Sequence, residues 1–218
     1  MSLQQAFHDL VTLELVLAWV AVSLVSVGVL WVDLRRNNEA LPSMMQLVWT
    51  LTVLYSGVLG LAVYWYSGRT QIPEDSFQRR GMRSTAHCYS GCGVGEALGV
   101  TFAAGVLLLN TVGVAATTFA MAYTFGVAFT VGPLMQEGVG FQEALSDAVY
   151  SESGSIVAME TVAIGSDIYL AGESTMGEPV FWASLAVSLS LGFLAAYPVN
   201  LGLLHFGVKE GMGDPSSM

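Results

Sequence analysis

Of 218 residues, 54% are hydrophobic and only 11% charged, and the mean hydropathy is +0.61. Soluble domains carry charge on roughly a quarter of their residues, so this composition excludes an ordinary water-soluble fold. The formal net charge of −10, from 17 acidic against 7 basic residues, excludes nucleic acid as a partner, because no basic patch exists to neutralise phosphates. An acidic chain with a single lysine also suits a high-salt cytoplasm and points to a halophilic source.

Apolar runs of about 20 residues match the length needed to cross about 30 Å of hydrocarbon. They predict an all-α, polytopic integral membrane protein with about six transmembrane helices, over residues 10–32, 44–66, 87–110, 112–135, 150–170 and 181–206. The opening "MSLQQAFHDL" lacks the basic start of a signal peptide, so the first helix is expected to be retained. Residues 1–66 then hold two N-terminal helices, 67–86 a polar linker, 87–208 a four-helix core and 209–218 a disordered tail. Phe141 and Leu145 fall at helical spacing and suggest a short surface helix ahead of the fifth span. Arg35 and Arg36 follow the first predicted span, whereas Arg69, Arg79, Arg80, Arg83 and Lys209 fall on the other side. This five-to-two distribution predicts a multi-pass cell-membrane protein with both termini cytoplasmic.

The third predicted span opens with "STAHCYSGCGVGEALGV". Cys88, Cys92 and Glu96 recur at i, i+4 and i+8, which drifts only about 40° per step and keeps them on one helical face. Two cysteines so spaced have Cβ atoms about 5–6 Å apart, too far for a disulfide, but their sulfurs can share one soft metal ion. His87 precedes them and joins the cluster if the helix starts irregularly there. The bland alternative is a pair of small buried hydrophobes. Gly91, Gly95 and Gly99 form a bare stripe on the same helix, the small-xxx-small surface that lets another helix approach closely.

In the fifth predicted span Glu152, Glu160 and Asp167 fall within an arc of about 80°. Carboxylates stacked along a spanning helix are functional candidates by default, and here they suggest an ion path, with the Met159 thioether beside Glu160. The structural alternative is a Glu160 carboxyl hydrogen-bonded to Thr117, Thr118 or Tyr123. In the sixth span Pro198 predicts a kink, with Asn200 near enough to satisfy a freed carbonyl.

The runs "STAHCYSGCGVGEALGV", "SGSIVAMETV" and "PVFWASLAVSLSLGFLAAYPVN" resemble a family of small bacterial and archaeal membrane proteins catalogued as domain of unknown function 4396. The resemblance spans about residues 84–204. It implies a four-helix unit in which His87, Cys88, Cys92, Glu96, Met159 and Glu160 matter, and it implies no reaction. The residues themselves favour handling or transport of a soft cation, copper or zinc, over catalysis. A transmembrane thiol redox protein using Cys88 and Cys92 is the second reading. The third is a non-catalytic assembly subunit, presenting the glycine stripe to a homo-oligomer or a membrane partner subunit in the lipid bilayer.

Overall fold

The computed structural model describes residues 1–211 and 213–217. Among them the chain is all α, with eight α-helices and no strand. The amphipathic α1 (Leu3–Leu10) is capped by Ser2, whose hydroxyl accepts from the Gln5 amide, and it buries no residue. It lies across one end of the bundle, where the His8 ring Nε2 is 2.8 Å from the Leu170 carbonyl oxygen. From there α2 (Leu13–Asn37) runs the length of the molecule and turns mainly leucine and valine outward. So large an apolar exterior needs lipid around it.

The segment expected to form a second span, 44–66, does not run straight through. It breaks at Gly57 into α3 (Ser43–Ser56) and α4 (Val58–Ser67), which fold back on each other. Gly57 has φ +56° and ψ −127°, a combination open essentially to glycine alone. Past the turn the limbs touch backbone to backbone: a Cβ on Gly60 would lie 2.6 Å from the Thr52 carbonyl oxygen. In a straight helix these two residues would be about 12 Å apart. Further back the Trp49 and Tyr64 rings meet edge to face at 5.4 Å, and Gly68 sits against the Trp49 indole.

Both ends of this hairpin therefore lie at the far end of α2. There Asp33 receives Arg69 through Nε (3.0 Å) and an Nη (2.9 Å), together with the Tyr64 hydroxyl at 2.8 Å. Asn38 accepts from the Thr70 amide at 2.7 Å. The hairpin tip reaches only as far as Trp19 and Ser23 of α2, which flank Gly57.

The next helix, α5 (Phe77–Val100), is capped by Ser76 and continues as a π-helical segment, Thr101–Val106. Its first turns absorb much of the stretch expected to be a linker. Arg83 makes a two-pronged contact with Asp75 at 2.8 and 2.7 Å and reaches the Ser67 carbonyl at 3.1 Å, joining α5 to the end of α4. These hydrogen bonds hold the Asp75 carboxyl below the usual carboxylate range. Then α6 (Thr111–Gln136), α7 (Phe141–Ala171) and α8 (Pro179–His205) alternate in direction. The expected surface helix is the opening of α7 itself.

Among the described residues four helices, α2, α6, α7 and α8, are long and apolar enough to cross a membrane. Although α5 is too polar to face lipid, it is wrapped by α3, α6, α7 and α8. Because the 44–66 segment doubles back, the elements running end to end are α2, α5, α6, α7 and α8. Residues 1–12 thus lie at one end of the bundle, the amino-terminal end, and residues 206–211 at the other. All seven basic residues gather at that second, arginine end. Lys209, expected at the start of a loose tail, is buried.

Gly60→Leu forces a side chain into the α3 backbone and is expected to lower stability by about 1–3 kcal/mol, the range for overpacking a core. Gly28→Ala, where a Cβ meets nothing within 4 Å, should leave the thermal midpoint in detergent unchanged. Equal midpoints for Gly60→Leu and the parent protein would refute the hairpin.

Candidate cation site

The interior is organised by the glycine stripe of α5. A Cβ on Gly91 would lie 3.0 Å from the Gly126 Cα, on Gly95 2.4 Å from the Met121 carbonyl oxygen, and on Gly99 2.7 Å from the Thr118 Cα. The backbones of α5 and α6 thus touch over two turns, as small-xxx-small spacing allows. On its other flank α5 is tied to the hairpin: Ser90 donates to the Val48 carbonyl at 2.8 Å, and the Tyr89 and Ser56 hydroxyls are 2.7 Å apart. From Gly81 to Glu96 every residue of α5 is buried or half-buried, which is what lets it hold polar residues at depth.

Between these flanks Cys88 and Cys92 are buried with their sulfurs 3.9 Å apart, both as free thiols. Gly126 makes room for them, since a Cβ there would come within 3.0 Å of the Cys92 sulfur. From α7, Glu160 faces both thiols. It is fully buried; among the described residues neither carboxyl oxygen has a full hydrogen bond, and the Cys92 thiol is a donor turned toward it. The alternative in which Thr117, Thr118 or Tyr123 satisfies Glu160 is therefore absent; Tyr123 instead pairs with Ser153 at 2.7 Å.

Glu96 lies one turn beyond Cys92, 1% exposed, with Oε2 unpartnered. It stands within electrostatic range of Glu160 on one side and Asp167 on the other. Asp167, Glu96, Glu160 and the thiols therefore form a continuous acidic series running from the amino-terminal end into the bundle.

Two expected members lie elsewhere. His87 sits on a regular turn of α5, so it points about 100° away from Cys88. Its ring is 6.3 Å from that of Phe129, and its electrostatic neighbours are Glu152 and Lys209. Met159 faces α8, with Cγ 3.1 Å from where a Cβ on Gly192 would be. Among the described residues, no three His, Cys, Asp or Glu side chains stand close enough to hold a metal ion.

Glu152 carries the contact that sequence reasoning missed. The Lys209 ammonium donates to it at 2.6 Å and to the Asn200 side-chain oxygen at 3.1 Å. Thr130 donates to the other Glu152 oxygen at 3.2 Å, and Asn200 donates onward to the Ala196 carbonyl at 3.1 Å. That carbonyl is not the one freed by Pro198, which belongs to Leu194, four residues before the proline. Of the three carboxylates predicted to line α7, the chain's single lysine thus neutralises the one nearest the arginine end. Its rarity was the one signal available in advance.

No curated protein and no solved structure matches the chain. A family model described as a domain of unknown function, DUF4396, matches residues 78–209. That match opens at the first turn of α5 and closes on Lys209, so it takes in the thiol pair, the acidic series and the lysine that ends it, and omits α1 to α4. Covering more than half of the sequence, it places this chain in the DUF4396 family.

Proposed function

We propose that this protein carries a soft metal cation, copper or zinc, across the membrane by way of the Cys88 and Cys92 thiols, with Glu160 facing them as a counter-charge. The observation that carries the reading is two sulfurs 3.9 Å apart faced by a buried carboxylate. Two zinc–sulfur bonds of about 2.3 Å at a tetrahedral angle put the sulfurs about 3.8 Å apart. Paired thiolates equally suit copper(I). A buried charge is costly, so Glu160 holds a proton when no metal is present and releases it when metal arrives.

The rival readings have less behind them. A disulfide requires Cβ atoms about 3.5–4.5 Å apart, and Cys88 and Cys92 lie on an unbroken helix that holds them further apart. The glycine stripe of α5 is already covered by α6, so it is no free face for a partner subunit.

The orientation follows from charge. With every lysine and arginine at one end of the bundle and none at the other, the positive-inside rule makes the arginine end cytoplasmic. The protein then crosses the cell membrane five times, with its N-terminal segment outside and residues 206–211 inside. This replaces the two-termini-inside expectation, which assumed that 44–66 crosses. The acidic series opens outward, and the Lys209–Glu152 pair closes its cytoplasmic side.

Three outcomes are expected. Purified wild-type protein takes up zinc or copper(I) at micromolar concentration, and the Cys88→Ser, Cys92→Ser variant loses that uptake, as read by metal analysis after gel filtration. A folded wild-type protein that stays metal-free ends the proposal. In the same cysteine-free background, Thr175→Cys labels with a membrane-impermeant maleimide on intact cells and Gln71→Cys does not; the reverse pattern inverts the orientation. Lys209→Ala strands Glu152 as an unpaired buried charge and costs about 3–5 kcal/mol, most of which a second change, Glu152→Gln, restores. Equal midpoints for the single and double variants would show that the ion pair does not hold the cytoplasmic side together.

A further inference from the structure

A cavity of about 220 Å³ enters the bundle from the amino-terminal end, between α5, α6, α7 and α8. Glu173 stands exposed at its mouth; Asp167 and Thr111 lie on its wall, and Glu96 and Thr118 are its most deeply buried polar lining. Such a volume holds several waters. Among the described residues, three lining atoms have no hydrogen-bond partner: Glu96 Oε2, Thr118 Oγ1 and Asp167 Oδ1. Glu96 is 1% exposed and Thr118 4%, so both are buried polar groups aimed at this space. Unsatisfied groups at such depth mark a site or a water path.

The donor chemistry differs from that of the thiol pair. Every polar side chain lining the cavity offers oxygen, and none offers sulfur, imidazole or a positive charge. All-oxygen sets select hard cations, whereas thiolates select soft ones. We propose that the cavity is a water-filled, one-sided vestibule delivering a small hard cation, the proton or an alkali-metal ion, to Glu96. Glu96 is thus a second cation site, distinct from Cys88 and Cys92.

The place of Glu96 in the acidic series gives this site its use, on the reading that the thiol pair carries a soft metal. Glu96 and Glu160 lie within electrostatic range of each other, so a cation held at one disfavours a cation at the other. A hard cation arriving at Glu96 from outside therefore favours release of metal from the Glu160 side. When the hard cation is a proton, only the carboxyl O–H bond forms and breaks, and cavity water is the donor and acceptor.

Two measurements on the full chain test this. The first reads access in sided vesicles in the Cys88→Ser, Cys92→Ser background, with a small charged methanethiosulfonate. Glu96→Cys should label from the face that labels Thr175→Cys and lose labelling from the opposite face. Thr118→Cys, on the same cavity, reports the same access should Glu96→Cys fail to fold. Failure of both positions to label, or labelling from the opposite face, overturns the vestibule.

The second reads the thermal midpoint of purified protein against pH in choline chloride, and against sodium or potassium replacing choline at fixed pH and ionic strength. A shift with pH alone identifies the proton; a shift with sodium or potassium identifies the alkali ion. In either case Glu96→Gln should shrink the shift and the Cys88→Ser, Cys92→Ser variant should keep it. An identical shift in Glu96→Gln, or no shift in the wild type, overturns the site. Because the thiol-free variant is expected to respond normally, failure of the soft-metal reading would leave this result standing.

Discussion

The backbone contact between α5 and α6 is the constraint on which the rest of the structure depends. Gly91, Gly95 and Gly99 bring the two helices together so closely that any side chain larger than hydrogen on those three residues would strike α6 backbone. That contact sinks α5 into the middle of the bundle. A helix bearing His87, Cys88, Cys92 and Glu96 could not face lipid, since each polar group at that depth needs protein, water or an ion beside it. The hairpin of α3 and α4 covers a further side of α5 through Ser90, Tyr89 and Ser56. The two limbs can do so only because Gly57 and Gly60 let them reverse within the bundle.

Charge is distributed around this core in a way that separates two chemistries. At the arginine end three of the less exposed carboxylates are matched: Asp33 with Arg69, Asp75 with Arg83, Glu152 with Lys209. In the interior toward the amino-terminal end they are not, and Glu96, Glu160 and Asp167 carry oxygens without partners. Matched pairs close and stabilise that end, because removing one member would leave an uncompensated buried charge. Unmatched carboxylates keep a preference for whatever cation can reach them. The contrast between the two ends follows from where seven basic residues sit, and the hairpin sends them all to one end.

Part of the site was legible in advance because it depends on short-range geometry. Cys88, Cys92 and Glu96 share a face of α5 for the reason the four-residue spacing implied, and the glycine stripe lies beside them for the same reason. The same geometry shows why His87 does not join them, since a neighbour in sequence is a quarter-turn or more away on an intact helix. Met159 faces α8 for the reason that adjacent residues of a helix point to different neighbours. Hydropathy could not reveal the reversal at Gly57, because it reports composition along the chain and both limbs are apolar. The stretch "SGVLG" held the glycines that permit the turn, but glycine in an apolar run equally marks close helix packing.

By itself the sequence determined that this is an all-α membrane protein, that its thiols lie one turn apart on a helix, and that its carboxylates line up along another. These properties follow from residue type and from the fixed rise and twist of a helix, which act over a few residues. The tertiary structure alone decided which end each terminus occupies, which carboxylates find a counter-charge and which open onto a cavity. Those outcomes rest on contacts such as Lys209 with Glu152, 57 residues apart, and Arg69 with Asp33, 36 residues apart. Pairings over such distances are set by how whole helices pack, and no local periodicity encodes them.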